Sequence, residues 1–200
     1  MGIVEIKLDS LRGVRVGWAL TGSFCTLEDA IAQMEIIAAA GTEILPIMSP
    51  YCFSESTRFG TAEDFNSRVE AVCNKEILTT VAEVEPIGPQ GLLDILIVAP
   101  CTSNTLAKIA HGITDNSVTM ALKSHLRGGK PAVLAFATND ALGGAAQNIG
   151  TLLARKNIYF VPFRQDDPRN KPRSCIADFT LIPTALAAAL AGEQVQPLLV

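Results

Sequence analysis

Short, nearly unbroken apolar runs alternate along this chain with longer segments of helical period. The first run lies within residues 12–21 and is apolar almost without a break from Val14 to Leu20, the pattern of a strand covered on both faces. Leu27, Ala30, Ile31, Met34, Ile37 and Ala38 then recur on one helix face, and Gly41 stops that helix. Residues 43–48 read as a second strand ending at Ser49-Pro50, and residues 51–60 as a loop without period. Thr61-Ala-Glu-Asp opens a helix through about Val72 with a capping signature. Residues 75–90 show no clear period, and Pro86-Ile-Gly-Pro89 is irregular. Residues 93–98 form a third strand broken at Pro100, with Leu106, Ile109, Ala110 and Ile113 along the helix behind it. A helix over 117–126 ends at Gly128-Gly129, and 131–135 is strand four. Residues 138–141 are a loop, and the helix after it presents Leu142, Ala145, Ile149, Leu152 and Leu153. Strand five covers 157–161, residues 164–174 are a polar loop, and an Ala/Leu-rich helix closes near Ala191, with Pro183 either kinking or starting it. Strands alternating with helices predict βαβ units with right-handed crossovers. The fold class is α/β: a three-layer, Rossmann-like (flavodoxin-like) parallel sheet with helices on both faces, in one domain over 1–200 with its core at 12–191.

In such sheets ligands bind beyond the carboxyl ends of the strands, which singles out the loops at 21–26, 49–60, 100–105, 137–141 and 162–174. In the first, Gly22 allows close backbone approach, and Thr21, Ser23 and Thr26 stand at a helix start able to hold a phosphate. Ser49 ends strand two and joins them as a candidate. Gly17 and Gly22 are too far apart for a dinucleotide fingerprint, and strand two ends in Met48 and Ser49 rather than an acidic residue, so a mononucleotide phosphate fits better than NAD. Beyond Pro100, Thr102, Ser103, Asn104 and Thr105 crowd one helix start with three hydroxyls and an amide, where a single cap would suffice. Asn139 can both donate and accept, and Asp140 follows it; with Asn104 these are the candidates for ring contacts and catalysis. Arg58, Arg164, Arg169, Lys171 and Arg173 are candidate carboxylate clamps, the last four on a lid past strand five. His111 and His125 both sit near helix ends and are poorly placed for acid–base work. Cys25 and Cys101 stand at helix starts but read as packing residues before nucleophiles.

Composition narrows the function classes. The chain has 200 residues, 48% of them hydrophobic, and a net charge of −4 without a basic cluster, which argues against nucleic acid. No apolar run reaches the roughly 18–20 residues that span a bilayer. The first seven residues lack the pattern of a signal peptide. Five scattered cysteines without a CxxC spacing indicate reduced thiols, a cytoplasmic setting and no metal site. The positive mean hydropathy is high for a solitary monomer and predicts that the chain buries apolar surface in a homo-oligomer.

Several motifs in order carry a resemblance. Pro100-Cys-Thr-Ser-Asn-Thr105 resembles the Pro-Ala-Ser-Ala-Asn-Thr motif of the flavoprotein family of homo-oligomeric, flavin-containing cysteine decarboxylases, which includes phosphopantothenoylcysteine decarboxylase and the flavin prenyltransferases. Asp115 after Gly112 matches that motif's continuation, Thr138-Asn139 falls where the decarboxylases have Met-Asn, and Thr21-Gly-Ser23 matches the phosphate loop. The resemblance covers residues 12–190 and implies FMN at these loops and a trimer or higher assembly. Two departures point away from decarboxylation. The catalytic His that decarboxylases carry before strand three is missing from Glu85-Pro-Ile-Gly-Pro-Gln90, and their Gly-rich flap is replaced by residues 164–174.

A second set of motifs is similar to one branch of the family: Leu20-Thr-Gly-Ser-Phe-Cys-Thr26, Thr57-Arg-Phe-Gly60, Glu85-Pro-Ile-Gly-Pro89, Ala137-Thr-Asn-Asp-Ala-Leu-Gly143, Pro162-Phe-Arg-Gln-Asp-Asp-Pro168 and the tail from Gln194 to Val200. That branch implies one half of a two-component oxidoreductase. Its substrate would be a small dicarboxylate, dihydrodipicolinate, oxidised to dipicolinate in the mother cell of a spore-forming bacterium. The NADP would be carried by the Rossmann domain of the partner subunit, which suits the missing fingerprint here.

Overall fold

The computed structural model describes residues 8–200, so the reading of the first seven residues lies outside it. Five strands form the parallel part of the sheet: β1 (Arg15–Leu20), β2 (Glu43–Met48), β3 (Ile95–Cys101), β4 (Ala132–Thr138) and β5 (Ile158–Phe160). Their order is β2-β1-β3-β4-β5, the flavodoxin-like order. The helices between and after them are α1 (Leu27–Ala39), α2 (Pro50–Ser54), α3 (Ala62–Cys73), α4 (Val81–Val84), α5 (Ser103–His111), α6 (Ser117–Arg127), α7 (Ala146–Leu153) and α8 (Ile182–Leu190).

The unbroken apolar runs exist because both sheet faces are covered. Along β3, Ile95, Ile97 and Ala99 enter one core with Trp18, Ile31, Met34 and Leu186, beneath α1 and α8. Leu96, Val98 and Cys101 enter the other with Leu106, Leu122, Phe136 and Leu152, beneath α5, α6 and α7. Successive side chains of a strand point to opposite faces, so such a strand has no position left for a polar residue. The one polar atom this forces inside, Trp18 Nε1, donates to the carbonyl of Ala99 at 2.9 Å.

Two expectations need correction, and two parts of the fold gain detail. β3 does not break at Pro100; it runs through to Cys101 with a register shift against β4 between Val98 and Cys101, because a residue without an N–H is tolerated at an irregularity of the ladder. The segment after β2 is not all loop: Ser49 accepts from the Cys52 N–H and starts α2, with Pro50 preset for a first helical turn. Residues 75–90 hold α4, set by a capping box in which Thr80 and Glu83 satisfy each other's backbone N–H groups, followed by one 3₁₀ turn at Glu85–Ile87. Finally, the sheet is mixed. β6 (Phe163–Gln165) and β7 (Cys175–Ala177) pair antiparallel, and β7 continues onto Ala137 and Thr138 of β4 past the end of β5. Pro183 starts α8 rather than kinking it.

Candidate functional site

Three carboxyl-end loops converge as the topology requires. The turn after β1, the start of α2 after β2, and the start of α5 after β3 enclose a cleft of about 390 Å³. Thr21, Gly22, Ser49, Pro50, Tyr51, Thr102, Asn104, Thr105, Lys108 and Asn116 line it. The expected residues Ser23, Thr26, Pro100 and Ser103 stand just outside that lining.

Most of the hydroxyls are spent on the protein itself. Buried Thr21 donates its hydroxyl to the Pro100 carbonyl at 2.8 Å and accepts the Thr102 N–H at 3.0 Å, which staples the first loop to the third. Thr102 caps α5 by accepting the Thr105 N–H at 3.2 Å, and the two hydroxyls share a bond of 2.9 Å. Thr26 donates to the carbonyl and hydroxyl of Ser23 and closes the first turn. What the cleft still offers is narrower: the first-turn backbone N–H groups of Ser103 and Asn104, which have no partner among the described residues, and the exposed amide of Asn104. Such N–H groups at a helix start favour an anion or a carbonyl edge.

Lys108 lies one turn beyond Asn104 on the same helix face and supplies the cation. Its ammonium donates to both carboxylate oxygens of Asp115, at 2.9 and 2.7 Å. Those bonds hold the Asp115 carboxyl below the usual carboxylate range. Asn116 caps α6 by accepting the Thr119 N–H at 3.0 Å and turns its edge to the cleft. Opposite, Tyr51 is exposed and stands edge-on to Phe24, ring centroids 5.9 Å apart. A Cβ on Gly22 would come within 3.0 Å of the Tyr51 ring, so the backbone approach expected at Gly22 is made to this aromatic wall.

The sequence model of the Flavoprotein family matches residues 5–172. The chain belongs to the Flavoprotein family. It is 40% identical, over 96% of each chain, to the B subunit of dipicolinate synthase from Bacillus subtilis (strain 168). The crystal structure of the corresponding B subunit from Bacillus halodurans superposes with a TM-score of 0.88 at 39% identity, covering 95% of this chain and 97% of that one. The FMN-dependent cysteine decarboxylase SpaF shares the fold, with a TM-score of 0.62 at 24% identity over 90% of this chain and 97% of that one.

The remaining candidates sit apart from the cleft lining. Asn139 and Asp140 are exposed at the end of β4 and belong to the hairpin: Ser174 donates to the Thr138 carbonyl and to Asn139 Oδ1, each at 3.3 Å, and Leu142 N–H donates to the Arg173 carbonyl at 3.0 Å. On the same hairpin Arg164 pairs with Asp178 and Lys171 with Asp166, while Arg169 and Arg173 are exposed. The polar segment 164–174 thus runs from β6 through the hairpin turn into β7, which is pinned to β4. Arg58 stacks over Phe59 at 4.9 Å to the ring centroid.

Neither histidine reaches the cleft. His111 is the last residue of α5, and buried His125 bonds the Pro131 carbonyl through Nε2 with its pKa lowered by burial. Cys101 is fully buried and its thiol pushed up by desolvation, which removes it as a nucleophile. Among the described residues no cluster of His, Cys, Asp and Glu is placed to hold a metal ion, and no helix is long and apolar enough to cross a membrane. Sequence reasoning missed Tyr51, Lys108 and Asn116. The four-residue step from Asn104 to Lys108 carried the signal for one of them, and Asn116 before a helical run carried the other.

Proposed function

We propose that this chain is the B subunit of a dipicolinate synthase. It acts with the nicotinamide-carrying A subunit to oxidise dihydrodipicolinate to dipicolinate in the cytoplasm of the mother cell. The observation that carries the reading is the 40% identity to a dipicolinate synthase component along nearly the whole of both chains. The hairpin and the segment before β3, where this chain departs from the decarboxylases, lie inside that matched length.

The donor chemistry of the cleft fits a flavin mononucleotide. The N–H groups at the start of α5 and the Lys108 ammonium suit its phosphate or the carbonyl edge of its ring, and Tyr51 with Pro50 supplies an aromatic, apolar wall. Thr21, Gly22, Ser49, Thr102, Asn104 and Thr105 would hold it directly or shape its loop, with Ser23, Thr26, Pro100, Ser103 and Asn139 behind them. When bound, FMN supplies a two-electron acceptor. This chain's own part is to orient the ring and to grip the two carboxylates of the substrate; Arg169 and Arg173 carry no ion pair among the described residues, whereas Arg58, Arg164 and Lys171 would exchange their contacts with Phe59, Asp178 and Asp166 to join them. Aromatisation also requires a proton to leave the dihydropyridine. Of the candidates for ring contact, Asn104 lines the cleft, while Asn139 and Asp140 stand at the end of β4 outside that lining; Asp140 is the one of the three able to accept a proton.

A second reading has its own observation. No histidine lines the cleft among the described residues, which suits a scaffold that activates its partner without reacting. The test is reconstitution. The two purified components together should form NADPH from NADP and dihydrodipicolinate, and each alone should not. A nicotinamide-carrying partner that gives the full rate unaided would overturn the proposal. Sedimentation of this chain alone should give a homo-oligomer, a trimer or larger, and a monomer would contradict that part.

A further inference from the structure

A cavity larger than the cleft lies elsewhere in the described structure. It encloses about 490 Å³ between the end of α5, the outer half of α6 and the turn from α7 into β5. It shares no lining residue with the cleft. Its floor is apolar: Ile109, Leu122 and Ile158 are buried there, and Ile113, 47% exposed, extends the apolar surface to the rim. A hydrophobic side chain left that open beside a concave apolar floor is better covered than solvated.

The rim has one sign of charge. Lys123, Arg127, Arg155 and Lys156 line the cavity and no carboxylate does. None of the four is ion-paired among the described residues, whereas Arg15, Arg68, Lys108 and Lys130 each hold a carboxylate. In a chain of net charge −4, four unpaired cations around one cavity are not the average of the surface. Arg155 is also held in place: Nη1 donates to the Ile109 carbonyl at 3.0 Å, near the end of α5, which leaves the rest of its planar fork for another acceptor.

We propose that this cavity is a second binding site, for a small organic carboxylate with an apolar body. An inorganic anion would leave the floor unused, and a neutral hydrocarbon would leave the cations unused. The volume lies in the range of small-molecule sites, roughly 300–1,000 Å³. The site is independent of the cleft and of the reaction assigned to it.

The probes are octanoate and benzoate, which offer an extended and a flat apolar body, with octanamide and inorganic phosphate as the uncharged and bodiless controls. The full-length chain in its native assembly is titrated with each and followed by methyl NMR. Octanoate or benzoate should shift the methyl signals of Ile113, Leu122 and Leu126. The controls should bind at least about tenfold more weakly, as expected when a charge-assisted bond or the apolar contact is lost. Arg127→Glu with Lys156→Glu, both exposed, should weaken carboxylate binding by a factor of about ten or more, with the folded methyl spectrum kept. The proposal is overturned if neither carboxylate shifts those methyls, if octanamide binds as well as octanoate, or if the charge-reversed protein binds as tightly as the original.

Discussion

Thr21→Val tests whether the cleft is built by the staple between its first and third loops. Valine keeps the shape of threonine and removes only the hydroxyl, which at 2% exposure has no water to replace it. Two bonds are lost, but their partners fare differently. The Pro100 carbonyl still accepts the Thr21 N–H at 3.2 Å. The Thr102 N–H loses its acceptor, and an unsatisfied donor of this kind costs about 1–3 kcal/mol. A loss of about 2 kcal/mol follows, or roughly 4–8 °C in Tm for a chain of this size. Thr21→Ser is the control: it keeps both bonds and gives up one methyl, about 0.8 kcal/mol before any relaxation. Urea denaturation followed by the fluorescence of Trp18, the only tryptophan and fully buried in β1, reads both variants. Valine should be clearly the worse of the two. A Val variant within about 0.5 kcal/mol of the unaltered protein, or one more stable than the Ser variant, would refute the staple.

Other expectations follow from the same geometry. A Cβ at Gly88 would sit inside the Ser124 carbonyl of α6, so Gly88→Ala should cost about 1–3 kcal/mol in the same denaturation assay and lower the yield of folded protein. The Asp94 carboxyl is held below the usual range by hydrogen bonds from the Arg15 side chain, so its contribution is complete above the ordinary carboxylate range and is lost as pH falls through its lowered pKa; the stability gap between Asp94→Asn and the unaltered protein should close over that acid limb. The buried His125 has a lowered pKa, so it stays neutral in the fold, and stability drawn from it should be present above about pH 6.5 and decline below; an imidazole NMR titration should place His125 under the ordinary histidine value. Burial pushes the Cys52 and Cys73 thiols up to about 12, so a thiol reagent at neutral pH should modify exposed Cys25 well before either, as mass mapping of brief labelling would read.

The sheet was legible because its strands are buried on both faces. From Val16 to Leu20 and from Ile95 to Val98 no polar residue can be accommodated, and the sequence contains no charged or amide residue there. The hairpin was hidden for the opposite reason. β6 and β7 are three residues each, flanked by Pro168 and Pro172, and their pairing depends on β4 running past the end of β5, a long-range fact that no local period encodes. The cleft was half legible. Hydroxyls clustered at Thr21, Thr102 and Thr105 marked the right place, yet in the fold they bond to the loops themselves, and the groups left to meet a ligand are backbone N–H groups, Asn104 and Lys108. Lys108 escaped notice because it reads as an ordinary helical residue, and Tyr51 because it opens a stretch without period, until β1, β2 and β3 bring their loops together.

A cleft that works in the joint reaction is distinguished from one that merely belongs to a partner-activating scaffold by substitution at its lining. The measurement is dihydrodipicolinate-dependent NADPH formation by the A subunit proposed above together with Ser103→Trp or Asn104→Ala in place of the unaltered chain. Ser103 begins α5 and Asn104 is exposed in its first turn, so both changes should leave the core intact and alter only what the cleft can hold. Joint activity should be lost while the variants still fold and still associate with that partner. Full joint activity from both folded variants would contradict a working cleft.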